Sequence, residues 1–183
     1  MTHIAVLRAV NLPGHNKVRM ADLKALFVRL GFADAQTLLQ SGNVVFSAGN
    51  KTTAALEQML ERAAAKELGV ETDFFVRTAK EWQAIIDANP FPREAKADPS
   101  HLLVGISRDE VSSANVTALQ KAIVGRELVR AKGRCVYIVY PDGIGRSKLT
   151  GAMIDKKLGT RGTARNWNTV LKLAALCQTS SAT

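Results

Sequence analysis

The spacing of apolar residues in the first eighty positions predicts alternating strands and helices. Positions 4–10 form a short apolar run with β-branched residues, and Leu23 begins a series at helical spacing that ends at Gly31. The full prediction places strands at 4–10, 37–40, 44–47 and 72–77, and apolar helix faces within 23–30 and 56–68. The order β-α-β-β-α-β is that of a ferredoxin-like unit, an antiparallel sheet with both helices on one face.

The second half begins with the same pattern and then departs from it. Its predicted strands are 101–107, 127–131 and 135–140, and its predicted helices lie within 116–123, 149–158 and 163–177. Three of the five prolines fall in 89–100, which fits either an extended connection or an ordered loop packed on one domain. We therefore expect an α+β protein with a ferredoxin-like βαββαβ unit at 1–88, a Pro-rich connection at 89–100, a smaller βαββαα unit at 101–178 and a loose tail at 179–183.

Positive charge is concentrated in the last third of the chain. The net charge is +9, and residues 126–183 carry 11 Lys and Arg residues against 3 Asp and Glu residues. Such an asymmetry favours acidic partners, among them nucleic acid, nucleotides and phosphorylated metabolites. The 46% of hydrophobic residues is enough for a buried core, which excludes a disordered chain.

No recognisable catalytic or metal-binding set stands out in the sequence. Cys135 and Cys177 lack the spacing of a metal or redox site, so we expect both to be buried, and His3, His15 and His101 lie away from any Cys or paired carboxylate. No reaction, metal or cofactor is therefore predicted. The chain shows no signal-peptide pattern and no apolar stretch of about 20 residues, so we expect a reduced, cytoplasmic protein that does not enter a membrane.

The polar segment 11–17 is a first candidate ligand site. It leaves a strand and enters a helix, where Asn11 and Lys17, together with Arg8, could receive an anion. A Pro-Gly turn followed by Asn16 as the helix cap explains the same segment without a ligand. The segment matches neither the P-loop nor the dinucleotide-binding glycine pattern.

The predicted hairpin turn at 40–43 is a second candidate. Gly42 and Asn43 readily adopt a positive φ, so turn formation explains these two residues. Gln40 and Ser41, with the Asn43 side chain, could hydrogen-bond to a phosphate, a base edge or a carbonyl. Amide and hydroxyl groups are also common in hairpins that bind nothing.

Arg146, Ser147 and Lys148 form the strongest candidate for an anion site. They follow a glycine-rich loop and open a predicted helix, so two cations and a hydroxyl gather near unsatisfied backbone N–H groups. The alternative is that Ser147 caps the helix while both cations are solvated. Basic residues at a helix start oppose the helix dipole, and an incoming anion would account for them.

A further polar string, Arg165-Asn166-Trp167-Asn168, is predicted to open the last helix. Trp167 shares a helical face with Val170, which favours a core anchor over a base-stacking platform. Arg165 and Asn166 point elsewhere on this helix. Arg165 could join Arg146 and Lys148 around one pocket.

Four strings of the chain together resemble a known family. They are Leu7-Arg8-Ala9-Val10-Asn11, Asn16-Lys17-Val18-Arg19-Met20, Gln40-Ser41-Gly42-Asn43-Val44-Val45-Phe46 and Ala164-Arg165-Asn166-Trp167-Asn168-Thr169-Val170. On these strings the chain resembles the uncharacterised bacterial family known as domain of unknown function 1697. The resemblance implies an α+β fold with a ferredoxin-like N-terminal part and implies no established activity. The first loop departs from the family's small residues and paired glycines, which argues against a role that needs a very flexible backbone there.

Two functions are compatible with these features, and a third would be an interface between subunits. The first is the binding of a small anionic, phosphate-containing ligand by an enzyme or sensor, in a basic cleft between the two halves lined by Arg8, Lys17, Gln40, Arg146, Lys148 and Arg165. The second is sequence-nonspecific nucleic-acid binding through the phosphate backbone. RNA-recognition modules stack bases on aromatic residues of the central strands, whereas the third strand here offers Asn43, Val45 and Ser47 on one face and Val44 and Phe46 on the other. Polar strings from both halves, rather than a uniformly basic surface, favour the small ligand.

Overall fold

The chain folds into two compact units. The computed structural model describes residues 1–12 and 17–180, with every side chain in these ranges except that of Ser180. One unit comprises residues 1–84 together with the chain from Lys172 onward, and the other comprises residues 85–171. Each sheet of the described chain has four strands, so the α+β class is confirmed. None of the helices in the described ranges is long and apolar enough to cross a membrane.

The first unit has the ferredoxin-like order that the sequence predicts. Its elements are β1 (Thr2–Leu7), α1 (Met20–Arg29), β2 (Gln36–Thr37), β3 (Asn43–Ser47), α2 (Thr53–Leu68) and β4 (Phe74–Thr78). The strands form an antiparallel sheet in the order β2-β3-β1-β4. Both helices bury apolar residues in one core with the sheet, in which the rings of Phe27 and Phe46 meet edge to face at 4.9 Å.

Local chemistry sets the ends of α2 in this unit. The Thr52 hydroxyl accepts a hydrogen bond from the backbone N–H of Ala55 at 3.2 Å, which satisfies one of the free donors at the start of the helix. The helix ends at Gly69, whose φ of 65° is the left-handed conformation that glycine adopts without steric cost. The cap and the glycine therefore define the element that packs on β4.

The second unit repeats the topology of the first. The next elements along the chain are α3 (Ala79–Asp87), α4 (Pro92–Ala97), β5 (Leu102–Ser107), α5 (Ser113–Ala122), β6 (Leu128–Lys132), β7 (Cys135–Val139), α6 (Gly151–Leu158), β8 (Gly162–Asn166) and α7 (Trp167–Ser180). The antiparallel order β6-β7-β5-β8 matches the first sheet strand for strand. Helices α5 and α6 bury Leu119 and Leu158 in a separate core with β6 and β7.

Strand β8 corrects the predicted βαββαα order of this unit to βαββαβ. The sequence placed the start of the closing helix near Thr163, whereas residues 162–166 pair with β5 and α7 begins at Trp167. The reason is that β8 is short and has no apolar alternation. Its extended conformation depends on hydrogen bonds to a distant strand rather than on its own residues.

Two predicted irregular segments contain helix. Residues 89–100, which fitted an extended connection or an ordered loop, include α4. The predicted loose tail began at Thr179, but Thr179 belongs to α7, where its hydroxyl donates to the Leu176 carbonyl at 2.9 Å. The remaining tail residues, 181–183, lie outside the described residues.

A buried ion pair links α2 to β4 in the first unit. Arg77 and Glu57 are 3% and 4% exposed, and the Arg77 guanidinium lies 3.4 Å from the Glu57 carboxylate. The same carboxylate oxygen accepts a hydrogen bond from the Val76 N–H at 2.8 Å. Charges at this depth are tolerated because each finds polar partners.

We expect Arg77→Met to lower the free energy of unfolding by about 3–5 kcal/mol, because it leaves the Glu57 charge buried without its guanidinium. Urea denaturation followed by circular dichroism measures the change. Arg19→Met is the matched control, since Arg19 pairs with Asp22 in water and its loss should change stability little. Equal effects of the two variants would contradict the assignment of Arg77 and Glu57 as a structural pair.

The His3 imidazole is completely buried in β1. Its Nδ1 lies 3.0 Å from the Met1 carbonyl, and its Nε2 has no hydrogen-bond partner among the described residues. Burial lowers the pKa of His3 below its ordinary value of 6.5, and the N-terminal ammonium acts in the same direction, against the Met1 carbonyl and the Glu81 charge. The folded protein therefore holds a neutral imidazole.

The lowered pKa of His3 predicts a loss of stability on acidification. Above the ordinary pKa of 6.5 the imidazole is neutral in both the folded and the unfolded state, so its contribution is fully present. Below that pH the unfolded state takes up a proton first, which costs at most about 1.4 kcal/mol per pH unit until the folded pKa is passed. The free energy of unfolding of His3→Phe, measured from pH 7.5 to 5, should fall less steeply than that of the wild type. Parallel curves would show that His3 does not contribute.

Candidate functional site

A cavity of about 240 Å³ lies within the second unit. One wall is formed by residues 122–125 and Glu127, which connect α5 to β6. The other wall is formed by Asp142 and residues 146–149, which precede α6, and Met153 of α6 completes the lining. Apolar and charged side chains thus share one small space.

The side chain of Gln120 holds the first wall in place. Its Nε2 donates to the Glu127 carbonyl at 3.1 Å, and its Oε1 accepts from the Val129 N–H at 2.8 Å. The two bonds fasten the start of β6 to the last turn of α5. The Glu127 backbone is therefore held in place by the bonds of Gln120 to the Glu127 carbonyl and the Val129 N–H, and not by the charge of Glu127.

Among the described residues, one donor holds the Glu127 carboxylate. The Ser147 hydroxyl donates to Glu127 Oε1 and accepts from the Leu149 N–H at 3.0 Å. Glu127 is 8% exposed, and its Oε2 is buried with no hydrogen-bond partner among the described residues. Gly125 leaves room for this carboxylate, because a Cβ atom there would collide with Oε2. One oxygen of a buried acid is therefore left without a donor.

Tyr140 is a buried residue on which the charge of the same carboxylate acts. Burial, together with the negative charge of Glu127, raises the pKa of the Tyr140 phenol to about 12. Tyr140 is 2% exposed and belongs to the core that α5 and α6 share with the sheet. Glu127, which lines the cavity, therefore also influences a residue of this core.

Two exposed cations line the other wall without partners of their own. Arg146 ends a 3-10 turn, Ile144–Arg146, and neither its side chain nor that of Lys148 forms a hydrogen bond or an ion pair with the described residues. Asp142, in contrast, is engaged by Arg126, whose Nε lies 3.0 Å from the carboxylate. Hydrogen bonding from Arg126, and then the charges of Arg126 and Arg146, lower the pKa of Asp142.

The start of α6 differs from the sequence-based prediction. The helix begins at Gly151, and the Thr150 hydroxyl caps it by accepting from the Met153 N–H at 3.3 Å. The predicted start at Leu149 and the possibility that Ser147 is the cap are therefore wrong. The physical reason is that Ser147 ends the preceding 3-10 turn, so its hydroxyl accepts from the Leu149 N–H of the connection rather than from an N–H of the helix.

Among the candidate residues around the first loop, Asn11 connects separate backbone segments by hydrogen bonds. The Asn11 amide donates to the carbonyls of Val18 and Gln40 at 2.8 and 2.7 Å and accepts from the Val18 N–H at 2.8 Å. Arg8 lies 3.9 Å from Asp73, and Lys17 is exposed. The proposed Pro-Gly turn with the Asn16 cap falls on residues 13–16, outside the described residues.

The hairpin candidates have a similar structural role. Asn43 is buried, and its amide donates to the Leu38 carbonyl at 2.8 Å and to the Ser41 hydroxyl at 2.9 Å. A Cβ atom at Gly42 would lie 2.8 Å from Val10 and 2.9 Å from Leu7, so close packing requires glycine there. The Gln40 side chain is exposed. Packing of the first loop against the hairpin therefore accounts for most of segment 40–43 without a ligand.

Arg165 and Asn166 lie at the end of β8 rather than in a helix. Arg165 is buried, donates to the Thr163 hydroxyl at 3.0 Å and the Ala164 carbonyl at 2.8 Å, and has its pKa lowered to about 10 by burial. Asn166 accepts from the Thr169 N–H and hydroxyl, both at 3.0 Å, and so caps α7. Arg165 does not line the cavity that Arg146 and Lys148 line.

Two features of the second unit were missed from the sequence. Glu127 stood out only as one of three acids in a basic stretch, and its role depends on Ser147, twenty residues away. His101 is paired as well: its Nδ1 lies 2.6 Å from Asp98, which also accepts from the Ser100 hydroxyl at 2.5 Å. The spacing of three residues between Asp98 and His101 was the available signal. The described residues contain no group of three or more His, Cys, Asp or Glu residues that could hold a metal ion.

Comparison with known proteins extends the earlier resemblance. Residues 1–137 match the model of a family described as protein of unknown function (DUF1697). The fold is similar to that of the conserved bacterial protein SP0830 from Streptococcus pneumoniae, with a TM-score of 0.71 and 18% sequence identity over 96% of this chain and 98% of that chain. At that identity the similarity concerns the fold alone. No curated protein matches the sequence significantly. The matched residues include Glu127 and end before Arg146.

The bond between Ser147 and Glu127 gives a prediction for stability. Ser147→Ala removes the donor to a buried carboxylate and should lower the free energy of unfolding by about 1–3 kcal/mol. The effect should shrink in a Glu127→Gln background, which a double-mutant cycle measures by urea denaturation. Ser113→Ala, at an exposed serine, is the control. Additive effects of the two substitutions would show that the hydroxyl and the carboxylate do not act as a pair.

Proposed function

Because the chain belongs to the DUF1697 family, whose function is unknown, we propose a function from its own cavity: the second unit binds a small anionic, phosphate-containing ligand between Arg146 and Lys148. The observation that carries the proposal is that Arg146 and Lys148, both on the wall of a defined cavity, form no hydrogen bond or ion pair with the described residues. The proposal assigns no reaction.

The charge around the cavity supports an anion. Arg126 and Asp142 neutralise each other, which leaves Arg146 and Lys148 against the single charge of Glu127. The cavity is therefore positive overall. A phosphate could accept hydrogen bonds from both cations, and Arg is suited to bind it in a bidentate manner.

The size of the cavity supports a small ligand. Pockets for drug-sized molecules are commonly about 300–1,000 Å³, and this cavity of about 240 Å³ lies just below that range. The wall residues Ile123, Leu149 and Met153 supply apolar contact for a short carbon skeleton. A compact phosphate ester of a few carbon atoms fits both the volume and the chemistry.

Nonspecific nucleic-acid binding is the alternative. RNA-recognition modules stack bases on an open face of the sheet. Here β1 is buried from His3 to Leu7, β7 is buried at every residue, and β3 and β5 contain only buried and half-buried residues, so no exposed residue of these strands is available for stacking. Nucleic acid would have to bind through scattered phosphate contacts, with a steep dependence on salt.

Calorimetric titration with glycerol 3-phosphate tests the proposal. Lys148→Ala and Arg146→Ala should each weaken binding about tenfold or more, since each removes a charge-assisted hydrogen bond. Lys172→Ala is the matched control, because Lys172 is exposed and does not line the cavity.

A parallel titration with single-stranded RNA and DNA separates the two functions. Binding of the oligonucleotides that falls steeply with salt, together with no binding of glycerol 3-phosphate, would favour the alternative. Unchanged affinity for glycerol 3-phosphate in both cavity variants would overturn the assignment of the site.

A further inference from the structure

We infer that the ligand of this cavity carries a hydroxyl group close to its anionic group, and that the Glu127 carboxylate selects it. The inference rests on the proposed function and narrows the ligand to a phosphorylated polyol, such as a sugar or glycerol phosphate. Its starting point is the buried Oε2 of Glu127, which lacks a donor among the described residues.

An unpartnered carboxylate oxygen is costly in a protein interior. A charged group removed from water must be hydrogen-bonded or paired, and a carboxylate offers only acceptor sites. Ser147 satisfies Oε1 alone, and Gln120 engages the backbone of Glu127 rather than its carboxylate. A ligand that donates to the second oxygen would complete the arrangement.

The carboxylate also limits what can lie beside it. A phosphate oxygen would be repelled, because it carries the same sign of charge as the carboxylate. A hydroxyl can donate to Glu127 and leave the phosphate to the cations. A ligand ammonium would also donate, but it would add a positive charge beside Arg146 and Lys148, so the hydroxyl is favoured.

The size of the cavity limits the distance between the ligand groups. Ser147, which bonds to Glu127, stands directly between the two cations in sequence. The carboxylate and both cations line one cavity of about 240 Å³. A hydroxyl and a phosphate that reach them together therefore belong to one short carbon skeleton.

Gly125 lies against Oε2, so the carboxylate must turn to present this oxygen to a ligand. The last torsion of a glutamate side chain is broad and soft, and rotation about it carries both oxygens together, so the Ser147 hydroxyl must turn with Oε1 to keep its bond. Gly125 itself has no side chain to hinder that turn. The loop residue next to it, Val124, is 83% exposed and makes no core contact that would resist adjustment.

The test compares glycerol 3-phosphate with propyl phosphate, which has the same skeleton without hydroxyl groups. The wild-type protein should bind glycerol 3-phosphate at least about tenfold more tightly, as expected for a hydrogen bond to a charged acceptor. Glu127→Gln should weaken glycerol 3-phosphate and strengthen propyl phosphate, since it removes both the charged acceptor and the repulsion. Opposite changes for two ligands cannot arise from a loss of folded protein.

A second variant moves the carboxylate without removing its charge. Gly125→Ala places a Cβ atom against Oε2 and should also reduce the preference for glycerol 3-phosphate. Glu110→Gln is the matched control, because it removes the same charge at an exposed position away from the cavity.

The outcomes separate this inference from the proposed function. If both phosphate esters bind equally, and Lys148→Ala weakens both, the anion site stands and the hydroxyl selection by Glu127 is wrong. If 3-aminopropyl phosphate binds more tightly than glycerol 3-phosphate, the donor is an ammonium group and the inference is overturned. If no phosphate ester binds at all, the proposed function fails together with it.

Discussion

In both units of this protein, a buried carboxylate needs hydrogen-bond donors, and the bonds that it forms connect separate elements. In the first unit, Glu57 finds a backbone N–H and a guanidinium, and the resulting pair fastens α2 to β4. In the second unit, the Ser147 hydroxyl is the only donor to the Glu127 carboxylate among the described residues, and it joins the segment before α6 to the start of β6. The Glu57 carboxylate is paired, whereas one oxygen of Glu127 has no hydrogen-bond partner in the part of the chain that the structure describes. That difference is why the second unit, rather than the first, holds the candidate site.

The repeated topology makes the comparison between the units direct. The connection that precedes β2 carries Asp34, which accepts from the Ser47 N–H at 3.0 Å at the end of β3. The connection that precedes β6 carries Glu127, which accepts from Ser147 beyond the end of β7. In both units an acid before the edge strand is joined to a serine, but Ser47 ends β3 and donates its backbone N–H, whereas Ser147 lies well beyond β7 and donates its hydroxyl. In the first unit the acid is exposed and the contact lies at the surface. In the second it is buried at the wall of a cavity.

The sequence was informative wherever local periodicity determines structure. The helices at Leu23 and Leu56 and the hairpin around Gly42 follow from spacing and turn chemistry, and the buried cysteines follow from composition. Strand β8 could not be predicted from local spacing, because its extended form depends on pairing with β5, some sixty residues earlier.

The residues of the candidate site were also predictable only in part. Arg146 and Lys148 were visible as charges, whereas Glu127 acquires its meaning from a contact across elements. Asn11 and Asn43 were visible as polar residues, but their side chains bond mainly to the backbone. The sequence alone does not show whether such a side chain binds backbone or a ligand.

The separate cores of the two units have an evolutionary consequence. The first unit buries its apolar residues around Phe27 and Phe46, and the cavity-bearing unit buries a different set around Leu119 and Leu158. The cavity walls lie outside the strands, although Leu149 belongs to the core of its unit. The exposed wall residues can change during divergence without disturbing either core, so the charge of the cavity can drift while the architecture persists.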